Sequence, residues 1–351
     1  MNYWFELTAS LEAKLHEQSV PFFQRHFSAA RYVLTKILPV IVKTGRRPVI
    51  FSRFAGMGDI LCSIPAALEL KKRHPGATFI YNCDASSACL PRMGGVTEFI
   101  TSCREIGLVS YWYRRLLGGF YAFSSDDDDL TRNDSLNSIV AFGKNLGVET
   151  GEAHPALAIS DSARQGARQA IAGFHFDASP LVVIHTGPSS KVRQWPREHW
   201  ASLIQALNQQ GLKNIIQLGA RAGSYSGADA EESRPLPGAF SLMEQLPLEH
   251  SIALISLADL YIGIDSGLLH AAASVHTASV GLWGPTSPHF RFSADERKNF
   301  VTSQVDCQGC HHRMPRLHWE TGCPYDIRCM KEISADAVLR ACMYNLAAAK
   351  K

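Results

Sequence analysis

The chain has 351 residues, 46% of them hydrophobic, and a formal net charge of +3. This length is sufficient for two domains that each bury a core of their own. Residues 1–50 contain seven Lys/Arg and three Asp/Glu, a local charge of +4, so the other 301 residues sum to −1. The body of the chain therefore lacks the basic charge of a polyanion-binding protein, and we expect no nucleic-acid partner.

Targeting and redox signals favour a cytoplasmic protein. The sequence contains no run of 18 apolar residues, and acidic residues interrupt residues 1–17, so neither a membrane span nor a cleavable signal peptide is predicted. Nine cysteines in such a chain are expected to be reduced thiols or metal ligands rather than a disulfide framework.

Residues 1–47 are predicted to form a helical extension, with helix over 10–43 and a kink or end at Pro39. Apolar side chains spaced by three or four residues form one stripe on this helix: Phe23, Phe27, Ala30, Leu34, Ile37 and Ile41. The stripe can pack on the following domain, or it can contact a membrane surface together with the basic residues opposite it. We predict peripheral membrane contact through residues 20–47.

From residue 48 onward, strands and helices alternate, which predicts an α/β fold with two doubly wound parallel sheets. Strands are predicted at 48–53, 77–82, 181–185, 214–218, 257–264 and 278–283. Helices are predicted at 60–73, 135–147, 163–173, 197–210, 241–257, 267–274 and 334–349. We place an N-terminal domain at 48–160, a C-terminal domain at 161–333 and a final helix at 334–351, with Ser334 as its N-cap.

A strand-to-helix turn at residues 265–269 is the strongest functional signal. Asp265, Ser266 and Gly267 stand where the strand ends, and His270 follows in the helix. The first turn of a helix has backbone N–H groups without intrahelical acceptors, which suits a phosphate or diphosphate. The next strand ends in Gly-Pro-Thr with Thr286, so two strand ends converge at one sheet edge. We interpret this as half of a nucleotide-sugar site.

A second loop, residues 56–59, lies between the first predicted strand and helix. Gly56 and Gly58 permit close backbone approach, and Asp59 places a carboxylate at the rim of the sheet. The loop is neither a dinucleotide fingerprint nor a phosphate-binding P-loop. Asp59 can be a helix N-cap, or a general base that takes a proton from an acceptor hydroxyl.

Residues 185–196 bring two cations, Lys191 and Arg193, to the end of the first strand of the second half. Cations at this position would neutralise the charge that builds on a leaving diphosphate. The alternative is a solvated basic loop in which Trp195 and Pro196 cap the next helix.

Together, Gly-x-Gly-Asp after a strand, a basic residue before Trp-Pro, and Asp-Ser-Gly-Leu-x-His followed by Gly-Pro-Thr resemble the heptosyltransferase family, glycosyltransferase family 9. The resemblance covers residues 48–345. It implies a GT-B fold, in which two Rossmann-like domains face a cleft, with the acceptor mainly on the N-terminal half and the donor mainly on the C-terminal half. It also implies inverting transfer that needs no metal.

Carried onto this sequence, the resemblance makes Asp59 the catalytic base and Gly56 and Gly58 part of the acceptor-side loop. It assigns donor binding to Thr186, Gly187, Asp265, Ser266, Gly267, His270 and Thr286. The family's lysine before Trp-Pro aligns with Arg193, while Lys191 lies two residues earlier, so either cation can meet the phosphates. The acidic residue that relatives use near the ribose is missing from residues 220–225, which leaves the donor nucleotide open.

A cysteine cluster lies in a predicted excursion at 305–330. Its members are Cys307, Cys310, Cys323 and Cys329, and His311, His312 and His318 are nearby alternatives. The spacing is compatible with tetrahedral zinc or iron, and some relatives of the family carry a similar segment. A structural metal and a set of packed, reduced thiols both fit the pattern.

The sequence thus predicts an inverting, metal-independent glycosyltransferase. It would move heptose or a related sugar from ADP-heptose or a similar nucleotide sugar to a lipopolysaccharide or other glycan acceptor, at the inner face of the cytoplasmic membrane. Two alternatives remain, namely a GT-B-fold sugar-nucleotide epimerase and a non-catalytic module that binds nucleotide sugars.

Overall fold

The computed structural model describes residues 22–46, 48–102, 112, 121–124, 135–187, 190–219, 234–313 and 322–348. The chain divides into two compact units, the first formed by Met1–Asp129 with Ser138–Gly151 and the second by Leu130–Asn137 with Glu152–Lys351. The domain limits derived from the sequence stay a prediction. The predicted start of the first helix, the ribose loop at 220–225 and His318 lie outside the described residues.

The first unit contains a four-stranded parallel sheet in the order β3-β2-β1-β4. Its strands are β1 (Pro48–Ser52), β2 (Thr78–Asn82), β3 (Ile100–Thr101) and β4 (Tyr121–Ser124). Its helices are α1 (Phe22–Tyr32), α2 (Leu38–Thr44), α3 (Met57–Arg73), α4 (Cys89–Met93) and α5 (Ser138–Asn145). Every residue of β1 and β2 is buried, as expected for parallel strands covered on both faces.

The N-terminal helix is interrupted but not ended by its proline. A five-residue π-helical turn, Val33–Ile37, joins α1 to α2, and Pro39 lies in the first turn of α2. The missing N–H of proline costs little there, since first-turn N–H groups have no acceptor in the new helix. The helix ends at Gly45, whose φ of +66° favours glycine.

The face of this helix that packs on the sheet coincides with the predicted stripe only at Ile37 and Ile41. Ala29, Val33 and Ile37 are fully buried and pack with Ile50 and Ile80 of the sheet. Three other members of the predicted stripe are strongly exposed: Phe23 by 84%, Phe27 by 71% and Leu34 by 50%. The helix has two adjacent apolar rows, and the row with the small Ala29 and β-branched side chains can approach the sheet more closely.

The second unit contains a six-stranded parallel sheet in the order β10-β9-β8-β5-β6-β7. Its strands are β5 (Leu181–His185), β6 (Asn214–Leu218), β7 (Phe240–Ser241), β8 (Leu260–Ile264), β9 (Ser279–Trp283) and β10 (Val301–Thr302). Its helices are α6 (Asp161–Ile171), α7 (Arg197–Gln209), α8 (Leu248–Leu257), α9 (Gly267–Ser274), α10 (Cys310–Arg313), α11 (Arg328–Lys331) and α12 (Ala335–Ala348). The strand order reverses between β5 and β8, and in such sheets ligands bind at that switch point.

The sequence-based prediction of an α/β fold with two parallel sheets is confirmed, with one clear error. The helix predicted at 241–257 begins only at Leu248, with Pro247 as its N-cap, and Ser241 pairs with β6 as part of an edge strand. The final helix was predicted correctly, and Ser334 caps it as expected. The Ser334 hydroxyl accepts from the Ala337 N–H at 3.2 Å. No helix among the described residues is long and apolar enough to cross a membrane.

Candidate functional site

The carboxyl edge of the second sheet carries the turn between β8 and α9. Asp265 and Ser266 follow β8 directly, and α9 begins at Gly267 with Ser266 in an extended conformation as N-cap. The Ser266 side chain makes no capping hydrogen bond, so the first-turn N–H groups of α9 keep the donor capacity of a helix N-terminus. The positive end of the helix dipole adds to their attraction for an anion.

Asp265, at the end of β8, contacts residues that follow two other strands, β5 and β9. Thr286, after β9, donates its hydroxyl to Asp265 Oδ2. Arg193, after β5, donates from Nη1 to the Asp265 carbonyl oxygen at 2.9 Å and lies 3.3 Å from Oδ2. The Asp265 side chain is only 7% exposed, and this buried ionic contact fixes the guanidinium beside the N-terminus of α9.

Of the two candidate cations, the structure places Arg193 against Asp265. Lys191 and Arg193 share a short 3₁₀ turn, in which Lys191 is exposed and the Arg193 side chain is 20% exposed. Trp195 is fully buried and donates from its indole N–H to the Ile333 carbonyl at 2.9 Å, and Pro196 is the N-cap of α7. The solvated-loop alternative therefore describes Lys191 but not Arg193.

A buried polar layer supports the loop that follows β5. Gln217 of β6 is fully buried and donates from Nε2 to the Thr186 hydroxyl at 3.0 Å, while its Oε1 accepts from the Leu236 N–H. Thr186 is itself buried, and Gly187 follows it. This layer fixes Thr186, a predicted donor-binding residue, but Gln217 was not predicted.

His185 is a second residue that the sequence analysis missed. Its Nδ1 lies 3.0 Å from the Ser266 hydroxyl, and complete burial lowers the pKa of His185 to about 4, so the ring is neutral. Gly219 makes room for the ring: its φ is +142°, and a Cβ there would lie 3.2 Å from His185 Cδ2. A polar residue at the end of a buried strand was the available sequence signal for both His185 and Gln217.

His270 occupies the fourth position of α9 and is buried. Burial is the main factor that lowers the pKa of His270 well below its usual value, and electrostatic effects of His154, Arg291 and Arg193 lower it further. The imidazole is therefore neutral. His154 and Glu296, which extend this site, were not predicted.

The loop of the first unit has Asp59 in the first turn of α3. Gly56 is the N-cap, with Met57 and Gly58 before Asp59, so the alternative that Asp59 itself caps the helix is wrong. The Asp59 side chain is 29% exposed, and its Oδ1 lies 3.8 Å from Arg53 Nη2. The carboxylate is thus accessible to solvent and lies beside a cation and a helix N-terminus.

The four predicted cysteines of the excursion line one small pocket together with Val192 and Pro285. Gly309, with φ of +70°, allows the tight turn in which the Cys310 N–H bonds to the Cys307 carbonyl at 3.1 Å. The same turn is hydrogen-bonded to the loop that follows β9, since the Gly309 N–H donates to the Gly284 carbonyl at 3.0 Å. His312 and His318 are not among the side chains that the structure describes.

The donor set of this pocket fits a soft or borderline metal ion. Burial, and then negative charge on Cys307, Cys310 and Cys323, raises the pKa of Cys329 to about 12. Zinc and iron are commonly held by four cysteine thiolates, so the residue types of this pocket fit such an ion. No disulfide occurs among the described cysteines.

The parallel sheets and the strand order of the second unit, which reverses between β5 and β8, define an α/β fold of the Rossmann type. The model of glycosyltransferase family 9 (heptosyltransferase) matches residues 127–319, more than half of the chain. The chain therefore belongs to this family and is a glycosyltransferase, as the sequence motifs predicted.

Individual relatives agree with this assignment. Lipopolysaccharide heptosyltransferase 1 of Escherichia coli K12 is 21% identical over 288 residues, which cover 68% of this chain and 88% of the relative. Among solved structures, E. coli ADP-heptose lipopolysaccharide heptosyltransferase II superposes with a TM-score of 0.62 at 14% identity, over 87% of this chain and all of that one.

A third relative is the iron-containing dodecameric glycosyltransferase TibC of enterotoxigenic E. coli, with a TM-score of 0.64 at 18% identity over 87% of this chain and 77% of its own. TibC has also been solved in complex with ADP-D-β-D-heptose. These likenesses show the fold, which is GT-B, and the predicted fold class is confirmed.

Proposed function

We propose that this protein is an inverting heptosyltransferase that uses ADP-heptose or a close analogue as donor and a lipopolysaccharide-type glycan as acceptor, at the cytoplasmic face of the membrane. The observation that carries the proposal is the Asp265 contact with Arg193 and Thr286 at the N-terminus of α9. Complexes of TibC with ADP-D-β-D-heptose and the heptosyltransferase names of the relatives support the choice of donor and acceptor class.

In the proposed reaction, the acceptor hydroxyl attacks the anomeric carbon while the bond from that carbon to the diphosphate oxygen breaks. ADP leaves with the electron pair of that bond, and the hydroxyl proton passes to the Asp59 carboxylate. Arg193 and the first-turn N–H groups of α9 stabilise the negative charge that grows on the diphosphate. Transfer itself is proposed to need no metal, because these groups supply the positive charge.

The experiment that tests the proposal is a nucleotide-release assay. Purified protein is incubated with ADP-heptose, and in parallel with UDP- and GDP-sugars, each with and without heptose-deficient lipopolysaccharide. We expect ADP release that depends on acceptor. Release without acceptor would instead indicate an epimerase or hydrolase, and binding without turnover would indicate a non-catalytic module.

We further propose that Cys307, Cys310, Cys323 and Cys329 hold a structural zinc or iron ion. The pocket that they share supports this, as does the iron content of TibC. The ion would hold the excursion against the Gly284 turn. It would take no part in the transfer reaction, since four protein ligands leave no open coordination position.

Elemental analysis of protein purified without added metal is expected to find about one ion per chain. Cys307→Ser should lose the ion and lower the unfolding temperature, because three ligands hold a structural ion far more weakly than four. Cys89→Ser, a partly buried cysteine of the first unit, is the matched control and should retain it. A folded, metal-free wild-type sample would refute the structural ion.

Membrane contact through residues 20–47 also remains a proposal. Phe27, Leu34 and Val42 are at least half exposed on the N-terminal helix, and Arg31 and Lys36 are exposed on it as well. Apolar side chains beside basic ones suit an anionic lipid surface.

We expect the full chain to co-sediment with vesicles that contain anionic lipid. The double variant Phe27→Ser/Leu34→Ser should bind at least ~10-fold more weakly, since burial of each side chain contributes roughly 1.5 kcal/mol. Tyr344→Ser, which removes an exposed apolar side chain from α12, should bind like wild type. Equal binding of the double variant and wild type would contradict the proposed contact.

A further inference from the structure

Strand β6 holds a fully buried amide side chain near its carboxyl end, that of Gln217. Burial of an amide costs free energy unless its oxygen and its N–H groups have hydrogen-bond partners. Here Oε1 accepts from the Leu236 N–H at 2.8 Å. Nε2 lies 3.0 Å from the Thr186 hydroxyl oxygen and 3.3 Å from the Arg234 carbonyl oxygen. The amide thus joins the loop that follows β5 to residues 234–236.

The backbone partners decide which end of the amide faces Thr186. The Leu236 N–H can only donate, so the atom that it contacts must be the amide oxygen. The Arg234 carbonyl can only accept, so the atom beside it must be the amide nitrogen. The Gln217 nitrogen therefore faces Thr186 as well, and it donates one proton to Arg234 and the other to the Thr186 hydroxyl.

A second side chain holds the same backbone segment in place. Arg197, the first residue of α7, donates from Nη1 to the Arg234 carbonyl at 3.0 Å and from Nη2 to the Pro235 carbonyl at 2.6 Å. The segment that orients the Gln217 amide is thus anchored to both β6 and α7. A flipped amide would set donor against donor and acceptor against acceptor, so the observed orientation is the stable one.

The Thr186 hydroxyl must therefore accept in its contact with Gln217, and its own single proton cannot be used there. Among the described residues, this hydroxyl makes no second hydrogen bond. Thr186 is only 3% exposed, and it follows His185, whose ring contacts the N-cap of α9, Ser266, at 3.0 Å. A buried donor without an acceptor costs free energy, so this position favours a ligand that brings an acceptor oxygen.

We propose that Gln217 is a positioning residue that sets the polarity of the Thr186 hydroxyl. Because the hydroxyl accepts from Gln217, its proton is presented to an acceptor oxygen of the bound nucleotide sugar. This inference rests on the proposed function for the presence of that ligand. An ionised diphosphate oxygen only accepts, so it suits this arrangement. With an acceptor group at position 217, Thr186 would donate to that group instead and would face the ligand with a lone pair.

Gln217→Glu tests the polarity, because it keeps the shape of the side chain and replaces the donor by an acceptor. Measurement at about pH 8.5 favours the ionised form of the introduced carboxyl group. We expect the Kd of ADP for the full chain, measured by calorimetry, to rise at least ~10-fold, as for a lost hydrogen bond to a charged group. Gln217→Met leaves the Thr186 proton available and should weaken binding less. Equal losses with both variants would contradict the proposed polarity.

A double-mutant cycle shows whether Gln217 acts through Thr186. Thr186→Val removes the hydroxyl and should by itself raise the Kd of ADP or ADP-heptose about 10-fold or more. In the Gln217→Glu background the hydroxyl already donates to the carboxylate, so Thr186→Val should add less than about twofold. In the Gln217→Met background it should keep its full effect. Effects of Gln217→Glu and Thr186→Val that simply multiply would overturn the proposal.

Gln245→Glu is the matched control, because Gln245 is an exposed amide of the same unit that donates to the Ser241 carbonyl at 3.0 Å. It should bind ADP and ADP-heptose like wild type, whereas unchanged affinity of Gln217→Glu for both ligands would overturn the proposed role. If wild-type protein binds neither ligand, the proposed function fails. The same cycle measured on the free energy of unfolding, without ligand, then still tests the contact between Gln217 and Thr186: we expect coupling, and additive effects would refute it.

Discussion

Asp59→Ala is expected to lower kcat for heptosyl transfer by a factor of about 10² to 10⁴, which is the range that general-base catalysis contributes. The affinity for ADP-heptose should stay unchanged, since the variant removes a group proposed to act on the acceptor hydroxyl. Asp59 is 29% exposed in the first turn of α3, so the substitution removes no buried packing. Stopped assays of product formation, with donor affinity measured by calorimetry, separate the two quantities.

Glu69→Gln provides the matched control for Asp59→Ala. Glu69 lies in the same helix, and its side chain is partly exposed and bonded to Lys72. This control should transfer heptose at the wild-type rate and unfold at the wild-type temperature. An Asp59→Ala variant that remains fully active would eliminate Asp59 as the base.

Arg193→Ala is expected to lower kcat by about 10² to 10³, the usual cost of removing one preorganised group that stabilises developing charge. Arg193→Lys should recover only part of this loss, because an ammonium cannot contact both the Asp265 carbonyl and its carboxylate as the planar guanidinium does. The effect is measured as kcat with saturating donor, and thermal unfolding of each variant shows whether the fold survives.

Lys191→Ala serves as the comparison, because Lys191 shares the 3₁₀ turn with Arg193 but is exposed. We expect less than a threefold change in kcat for this variant, since exposed charges contribute little in water. The reverse order, a large loss with Lys191→Ala and a small one with Arg193→Ala, would reassign the leaving-group role to Lys191.

Much of the second sheet could be predicted because its strands are short, buried apolar runs. β5 and β6 were predicted to the residue, and α9 began at Gly267 as expected. The two-residue edge strands β7 and β10 carry no periodic signal, so they were missed. The start of α8 was predicted seven residues too early because apolar residues continue the helical spacing on the N-terminal side of Pro247.

The site was predictable where it consists of contiguous motifs. Asp265, Ser266, Gly267 and His270 lie on one turn, and a turn can be interpreted from local sequence. Contacts across the fold carry no such signal: Arg193 and Asp265 are 72 residues apart, and His154 and Glu296 are 142 apart. The choice between Arg193 and Lys191, and the support of His270, therefore required the three-dimensional structure.

The stereochemistry of the product tests the central claim most directly. When the donor is β-configured ADP-heptose, direct attack by the acceptor hydroxyl with Asp59 as base inverts the anomeric carbon. NMR of the purified glycan product should therefore show an α-linked heptose. A β-linked product would require two displacements or a front-face departure of ADP, and it would contradict the proposed mechanism.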